Sequence, residues 1–96
     1  MADNFSTLQE LQVKITGKVQ GVFFRQTIKA WAVELHLQGF VRNEPDGSVV
    51  VCAQGERSAL ETLLKRCYDG PGSARVDQVQ SNWHRASTPY SSFTMY

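Results

Sequence analysis

The spacing of apolar residues changes at Gly17, and this change constrains the fold more than any other feature of the chain. Between Leu11 and Ile15 every second residue is apolar, which is the period of a half-buried strand that is predicted to end at Gly17. After the loop that follows, the period is that of an amphipathic helix. Gly39 is predicted to be the C′ residue that follows this helix and ends it. The apolar stripe of this helix consists of Phe24, Ile28, Trp31, Ala32 and Leu35.

The second half of the chain repeats this change of period. The sequence EPDG at 44–47 predicts a type I turn with its glycine in the left-handed conformation, so that residues 40–53 form a hairpin. Ser58 and Glu61 match a capping box, which predicts the start of a second helix. The sequence DGPGS at 69–73 is expected to end that helix. The apolar stripe of that second helix consists of Leu60, Leu63, Leu64 and Cys67.

Two more strands complete the pattern, one marked by Val76 and Val79 and a short terminal one marked by Phe93 and Met95. The order β-α-β-β-α-β predicts an α+β fold, a split β-α-β sandwich with an antiparallel sheet and both helices on one face. Residues 1–9 are polar and aperiodic and predict a flexible leader, and residues 10–96 are expected to form one domain.

Charge and hydropathy indicate which partners and which cellular compartment to expect. The formal net charge is +1, which gives no overall field to attract nucleic acid or an anionic membrane, so any bound anion must be held by local donors. No apolar run reaches the ~20 residues of a membrane span, and the N-terminus lacks the features of a signal peptide. We therefore expect a cytoplasmic protein without nucleic-acid or membrane partners, and the size of the chain makes a monomer the default expectation.

The cysteines and histidines of the chain are expected to have structural or surface roles rather than to bind a metal. Cys52 and Cys67 form no CxxC pair and have no histidine at ligand spacing, so they are expected to be small buried hydrophobic residues, with a disulfide left open. His36 and His84 are expected in structural or surface positions. No group of Asp, Glu and His has metal-ligand spacing, and neither a metal nor another cofactor is predicted.

The segment Gly17–Arg25 contains the strongest candidate for a functional site. A loop that opens on a glycine and ends at a helix N-terminus can direct several backbone N–H groups toward one anion, and Gly21 can adopt the positive φ that this requires. Arg25 lies in the first helical turn, where a cation is slightly disfavoured, and its planar guanidinium can bind two phosphoryl oxygens. By spacing alone, an ordinary strand–helix connection is the better interpretation, and neither a Walker A nor a dinucleotide-binding motif is present.

Three motifs together resemble the signature of the acylphosphatase family. The sequence GKVQGVFFR at 17–25 is similar to the family's G-x-V-Q-G-V-x-F-R, GFVRN at 39–43 is similar to its G-aromatic-V-x-N, and DGSV follows at 46–49. The resemblance extends over residues 10–95, including the GP-x-x-A-x-V segment at Gly70–Val76 and an aromatic C-terminus. It implies a ferredoxin-like sandwich, which agrees with the order of elements.

The resemblance also implies roles for residues in the hydrolysis of an acyl phosphate to a carboxylate and inorganic phosphate. Arg25 would clamp the phosphoryl oxygens, and Asn43 would orient the attacking water. Glu44 stands where some members carry a small hydroxyl residue, which puts a supporting hydrogen bond at that position in doubt. The phosphoryl oxygens would also be bound by the backbone amides of Gln20, Gly21, Val22, Phe23 and Phe24.

The chemistry of this substrate explains why so few groups could suffice. An acyl phosphate releases a carboxylate whose conjugate acid has a pKa of about 4, so departure needs no general acid. Phosphoryl transfer depends mainly on positioning and charge stabilisation, and Arg25 would supply the charge that Mg²⁺ supplies in kinases. Asn43 is too weak a base to ionise water, so its expected role is orientation, with the substrate's own phosphate as the proton acceptor.

Two other functions are compatible with the order of elements. An RNA-recognition domain shares it but would require exposed aromatic residues and basic flanks on the central strands, and SVVVCAQ at 48–54 has neither. A non-catalytic domain that binds acyl or carbamoyl phosphate would also retain the loop. The presence of both Arg25 and Asn43, without a second domain, favours a free-standing enzyme.

Overall fold

The computed structural model describes residues 8–21, 23–70, 72, 74–86 and 88–96, which form one five-stranded sheet and two helices. This order of elements confirms the predicted α+β sandwich, in which the strands lie in the order β4-β1-β3-β2-β5. The elements are β1 (Gln9–Lys18), α1 (Phe24–Glu34), β2 (Gln38–Asn43), β3 (Val49–Gly55), α2 (Arg57–Asp69), β4 (Arg75–Arg85) and β5 (Phe93–Met95).

The sheet is mixed, whereas an antiparallel sheet was expected. β1 pairs antiparallel with β3 and β4, and β2 pairs antiparallel with β3. The terminal strand β5 lies parallel to β2, with Gly39 opposite Phe93 and Val41 opposite Met95. The reason is topological, because the chain leaves β4 at one edge of the sheet, crosses to the other edge, and reverses its direction there.

Both helices cover the same face of the sheet, as predicted. α1 packs on β2 and β5, α2 packs on β1, β3 and β4, and the two helices touch each other. One apolar core lies between the helices and the sheet, and neither described helix has the length and apolar character to cross a membrane. The largest fully buried side chains are Phe24, Leu11, Ile15, Ile28, Leu60 and Leu63.

The end of α1 differs from the prediction. The helix ends at Glu34 because His36 adopts the left-handed conformation with a φ of 59°, and the amides of His36 and Leu37 donate to carbonyls of the last turn. The predicted terminating residue, Gly39, lies in β2 instead. A glycine is needed there because a Cβ would overlap the carbonyl oxygen of Cys52 on the neighbouring strand.

The predicted capping box at the start of α2 is not formed. Glu56, with extended backbone angles, is the N-cap residue, and the helix begins at Arg57. Ser58 therefore lies inside the first turn and cannot cap it. Glu61 forms an ion pair with Arg57 at 3.3 Å along the helix surface instead. The residue types and spacing were those of the motif, but the N-cap residue lies two residues before Ser58.

The hairpin between β2 and β3 is formed as predicted. The Gly47 amide donates to the Glu44 carbonyl over 3.0 Å, and Gly47 has a φ of 92°. The Asp46 carboxylate accepts bonds from the Ser48 hydroxyl (2.6 Å) and amide (2.9 Å) and lies 2.9 Å from the Lys14 ammonium. The bond from the Ser48 hydroxyl, followed by the interaction with Lys14, holds the pKa of Asp46 well below its usual value.

The boundaries of β1 are wider than expected. The strand begins at Gln9, which belongs to the predicted leader, and residues 1–7 lie outside the described residues. It also continues past Gly17 to Lys18, with a bulge between Thr16 and Gly17 where it pairs with β4. A bulge of this kind breaks the apolar alternation, which is why the sequence pattern predicts the end of the strand at Gly17.

Both cysteines are buried and free, as expected for small hydrophobic residues. Cys52 lies on the helix-free face of the sheet next to Tyr90, and Cys67 lies in the core on α2. The sheet therefore separates the two thiols and prevents a disulfide. Burial raises the pKa of Cys52 to about 11 and that of Cys67 to about 12.

Candidate functional site

A cavity of about 240 Å³ opens at the N-terminus of α1. This volume is below the ~300–1,000 Å³ typical of sites for drug-sized ligands, so the cavity suits a small molecule. Val22, which was predicted to bind substrate, lies outside the described residues. The lining combines the predicted loop, the first turn of α1 and the last strand, and consists of Val19, Gly21, Phe23, Phe24, Arg25, Gln26 and Met95.

The N-terminus of α1 is open to an anion. Its N-cap residue, Phe23, has left-handed backbone angles of 60° and 21°, which few residues other than glycine adopt. Within the described part of the chain, no side chain caps this end, and the first turn carries no acidic residue. The amides of the first turn thus carry the positive end of the helix dipole toward the cavity. A left-handed residue followed by helical ones also orients successive amides to the same side.

Gly21 has a φ of 76°, as the loop was predicted to require. A Cβ added at this position would meet no atom within 4 Å. A side chain at residue 21 would therefore be disfavoured by the backbone conformation rather than by crowding in the free protein.

Arg25 is half-buried and is held at the cavity by the last residue of the chain. Its Nη1 donates to the main-chain oxygen of Tyr96, and the Tyr96 amide donates to the Val41 carbonyl over 3.0 Å. Tyr96 therefore links Arg25 to β2, two residues before Asn43. A guanidinium has five N–H donors, so this bond leaves others for a phosphoryl group.

Asn43 lies outside the lining of this cavity, at the exposed end of β2. Because side chains alternate along a strand, it projects to the same face as buried Val41, the face that the helices cover. The structure thus brings Arg25 and the loop together in one cavity and places Asn43 on their side of the sheet.

The Gln20 side chain joins the loop to the segment that follows Asn43. Its Nε2 donates to the Glu44 carbonyl over 2.9 Å and to the Ser48 carbonyl over 3.0 Å. From the sequence, only the backbone amide of Gln20 was expected to take part in the site. The available signal was that Gln20 carries the only polar side chain between Lys18 and Arg25.

Two further features of the site did not follow from the sequence. Met95 and Tyr96 reach the cavity and Arg25 only because β5 pairs with β2, and no spacing rule connects them to the loop. The Glu44 carboxylate turns to the Arg42 guanidinium at 2.8 Å, so Glu44 contributes to the site through its backbone carbonyl.

The charge at this site comes from the arginine and the helix end. In the described ranges of the chain, no group of three or more His, Cys, Asp or Glu side chains could hold a metal ion. The donors that face the cavity are therefore amides and a guanidinium, a set that suits a phosphate or a carboxylate.

Comparison with known proteins agrees with this geometry. The acylphosphatase family model matches residues 11–95. An acylphosphatase of Salinibacter ruber is 41% identical over 87 residues, covering 91% of this chain and 92% of the relative. The solved structure of an acylphosphatase from Coxiella burnetii has a TM-score of 0.88 and 36% identity and covers 100% of both chains. That of acylphosphatase from Bacillus subtilis has a TM-score of 0.89 and 26% identity, covering 92% of this chain and 98% of the other.

Proposed function

The chain belongs to the acylphosphatase family and hydrolyses the carboxyl–phosphate bond of acyl phosphates, and we propose that its loop 20–24, Arg25 and Asn43 carry out this reaction. The observation that supports these roles is the meeting of an uncapped helix N-terminus and an arginine in one small cavity. Amide donors and a guanidinium around the same volume are what the recognition of a phosphoryl group requires.

The phosphoryl group occupies the cavity at the N-terminus of α1. Arg25 donates to two of its oxygens from one side, and the backbone amides of residues 20–24 donate from the other. Negative charge on these oxygens is redistributed in the transition state, where donors fixed by the fold stabilise it without reorganising. Arg25 thereby supplies the positive charge, and the reaction needs no metal ion.

Asn43 orients the water molecule that attacks phosphorus. The water oxygen forms a bond to phosphorus while the bond from phosphorus to the carboxyl oxygen breaks, and its electron pair leaves with the carboxylate. The proton of the water passes to a phosphoryl oxygen of the substrate, because a carboxamide is too weak a base to accept it. The products are a carboxylate and inorganic phosphate.

The acyl group lies against Phe23 at the entrance of the cavity. The Phe23 side chain is 74% exposed, although it lines the cavity together with Met95. An exposed aromatic wall can contact an apolar acyl group without enclosing it. The enzyme therefore accepts small acyl phosphates with different acyl groups and prefers apolar ones.

Hydrolysis of benzoyl phosphate in the presence of a chelator tests the metal-free reaction. We expect the same turnover with and without EDTA, because amides and Arg25 provide all the donors. Absence of turnover would instead indicate a non-catalytic domain that binds acyl or carbamoyl phosphate, which the named relatives do not favour. Loss of turnover on chelation would show that a metal ion takes part.

We further propose that the enzyme acts as a monomer in the cytoplasm. Both cysteines are free, which suits a reducing compartment. Light scattering coupled to size-exclusion chromatography should give the mass of one chain, 10.8 kDa. A dimer mass at assay concentrations would contradict the monomer.

A further inference from the structure

The hairpin that follows Asn43 is closed by Glu44 and Ser48, and both of these residues also contact Gln20. The Glu44 amide donates to the Ser48 carbonyl over 2.9 Å, which closes the hairpin between β2 and β3. The Glu44 and Ser48 carbonyls each accept a hydrogen bond from Gln20 Nε2. Both hydrogens of this carboxamide are therefore used, and both bonds reach a segment more than twenty residues away.

Asn43 depends on this closure for its position. It is exposed at the last position of β2, and in the part of the chain that the structure describes its side chain has no hydrogen-bond partner. Its orientation is thus set by its backbone, which is fixed by pairing with Val49 on one side and by the closure at Glu44 on the other.

In the part of the chain that the structure describes, the two bonds of Gln20 join the loop directly to the hairpin. The loop is held at its ends by β1 and α1, whereas Asn43 and the turn after it extend from the end of the sheet. The two bonds of Gln20 are part-buried, so they are better protected from competing water than bonds on the open surface.

We propose that Gln20 is a positioning residue whose carboxamide fixes Asn43 relative to the bound phosphoryl group. The inference rests on the proposed role of Asn43. It explains how Asn43 is held in the position from which it aligns the attacking water. Gln20 acts twice at the site, because its backbone amide belongs to the loop while its side chain sets the distance between the loop and Asn43.

A double-mutant cycle with Gln20→Met and Asn43→Ala tests this coupling. Gln20→Met keeps the length of the side chain and removes both hydrogen bonds. We expect it to lower kcat for benzoyl phosphate by about 10- to 100-fold, the usual effect of slight misalignment, and to change the inhibition constant of inorganic phosphate by less than about 3-fold. In the Asn43→Ala background, Gln20→Met should change kcat by less than about 2-fold.

The outcomes separate this proposal from the one on which it depends. If Asn43→Ala lowers kcat but the two effects multiply, Gln20 does not act through Asn43 and the positioning role is wrong. If Asn43→Ala leaves kcat unchanged, the proposed role of Asn43 fails, whatever Gln20 does. If Gln20→Met mainly weakens inhibition by inorganic phosphate, the Gln20 side chain maintains the shape of the phosphate-binding loop and does not position Asn43.

Gln54 offers a matched control. Its Nε2 also donates two bonds that join distant segments, to Glu10 Oε1 (2.9 Å) and to the Thr88 carbonyl (2.8 Å), but away from the cavity. Gln54→Met should lower stability without changing kcat by more than about 2-fold, since it moves none of the groups that meet the substrate.

If Gln20→Met folds poorly, a second variant and a second measurement can still test the proposal. Gln20→Glu has the same shape but sets a carboxylate against two carbonyls, and the same cycle can be measured with it. In ¹⁵N spectra of either variant, the side-chain amide resonances of Asn43 should shift while those of Asn82 on β4 stay unchanged. Unchanged resonances of Asn43 would overturn the proposal without reference to activity.

Discussion

Arg25 and Phe23 both occupy positions that local preferences disfavour. A cation in the first turn opposes the helix dipole, and an exposed aromatic residue with a φ of 60° is strained. Departures of this kind concentrate at functional sites, where the surrounding structure enforces them. The position of Arg25 could be recognised from the sequence, because it depends only on distance from the helix start. The strain at Phe23 could not, because it depends on backbone angles set by the loop.

The proposed roles predict that Arg25 and Asn43 affect different kinetic constants. Arg25→Ala should reduce kcat/KM for benzoyl phosphate by about 100- to 1,000-fold and weaken inhibition by inorganic phosphate, because the guanidinium meets the phosphoryl group in ground and transition states. Asn43→Ala should lower kcat with KM within about 2-fold, because it acts on water alone. Steady-state kinetics and phosphate inhibition measure both.

Arg75, which is exposed and forms an ion pair with Asp77 at 3.0 Å, provides the control for loss of an arginine. Arg75→Ala should leave both kinetic constants unchanged. Unaltered phosphate inhibition in Arg25→Ala would contradict the clamp, and a raised KM with normal kcat in Asn43→Ala would make Asn43 a binding residue.

Phe23 is predicted to influence which acyl group is preferred. Phe23→Gly removes the aromatic wall while glycine readily adopts the same left-handed backbone, so phosphate binding should persist. We expect the ratio of kcat/KM for benzoyl over acetyl phosphate to fall by about 10-fold, the effect of losing one aromatic contact. An unchanged ratio would show that the acyl group does not contact Phe23.

At the scale of elements, periodicity predicted which segments form helices and strands but not where they end. α1 ends at Glu34, just before the left-handed His36 and well short of Gly39, and Glu56 rather than Ser58 precedes α2. The requirement for glycine at residue 39 comes from the neighbouring strand, which is distant in sequence. Local motifs can identify such residues as special without revealing whether a turn or a close contact is the reason.

The hairpin should lose stability in acid because of Asp46. Its pKa in the folded protein lies below the usual 3.8, so the unfolded chain takes up the proton first as pH falls. The stabilisation is complete above the usual value and is lost as pH falls below it toward the folded pKa. The difference in urea midpoint between the parent and Asp46→Asn should therefore be largest at neutral pH and disappear in strong acid.

Asp77→Asn corrects this comparison for the change in net charge, because it removes an exposed carboxylate from β4. A parent-minus-Asp46→Asn difference that stayed constant across the acid range would show that Asp46 does not stabilise the hairpin through its charge.

For the whole molecule, the order of elements was predictable and the position of the last strand was not. The pattern at Phe93 and Met95 predicted β5, but a strand of three residues carries no information about its partner. Its parallel pairing with β2 is set by the route of the chain around the sheet. The contact between Tyr96 and Arg25 depends on that route, so this part of the site could not be derived from motifs.

Alkylation of Cys67 should report opening of the whole core. With a pKa of about 12 and no exposed surface, this thiol should resist iodoacetamide at pH 8 until the domain opens. Leu63→Ala, in the same core, should cost about 2–5 kcal/mol and speed alkylation at least about 30-fold, as mass spectrometry would measure. Rapid modification of the parent without unfolding would contradict the buried position.

The central place of β1 has a consequence for how the enzyme is made. The first strand of the chain lies between β3 and β4, with Gln9 opposite both Gly55 and Arg85, so its pairings must close long stretches of chain. Such closures are entropically costly and slow folding relative to proteins built from local contacts. The loop that follows β1 gains its shape only after both neighbours have paired. During refolding, enzymatic activity should therefore return after the helices have formed, and its time course would record the completion of the sheet.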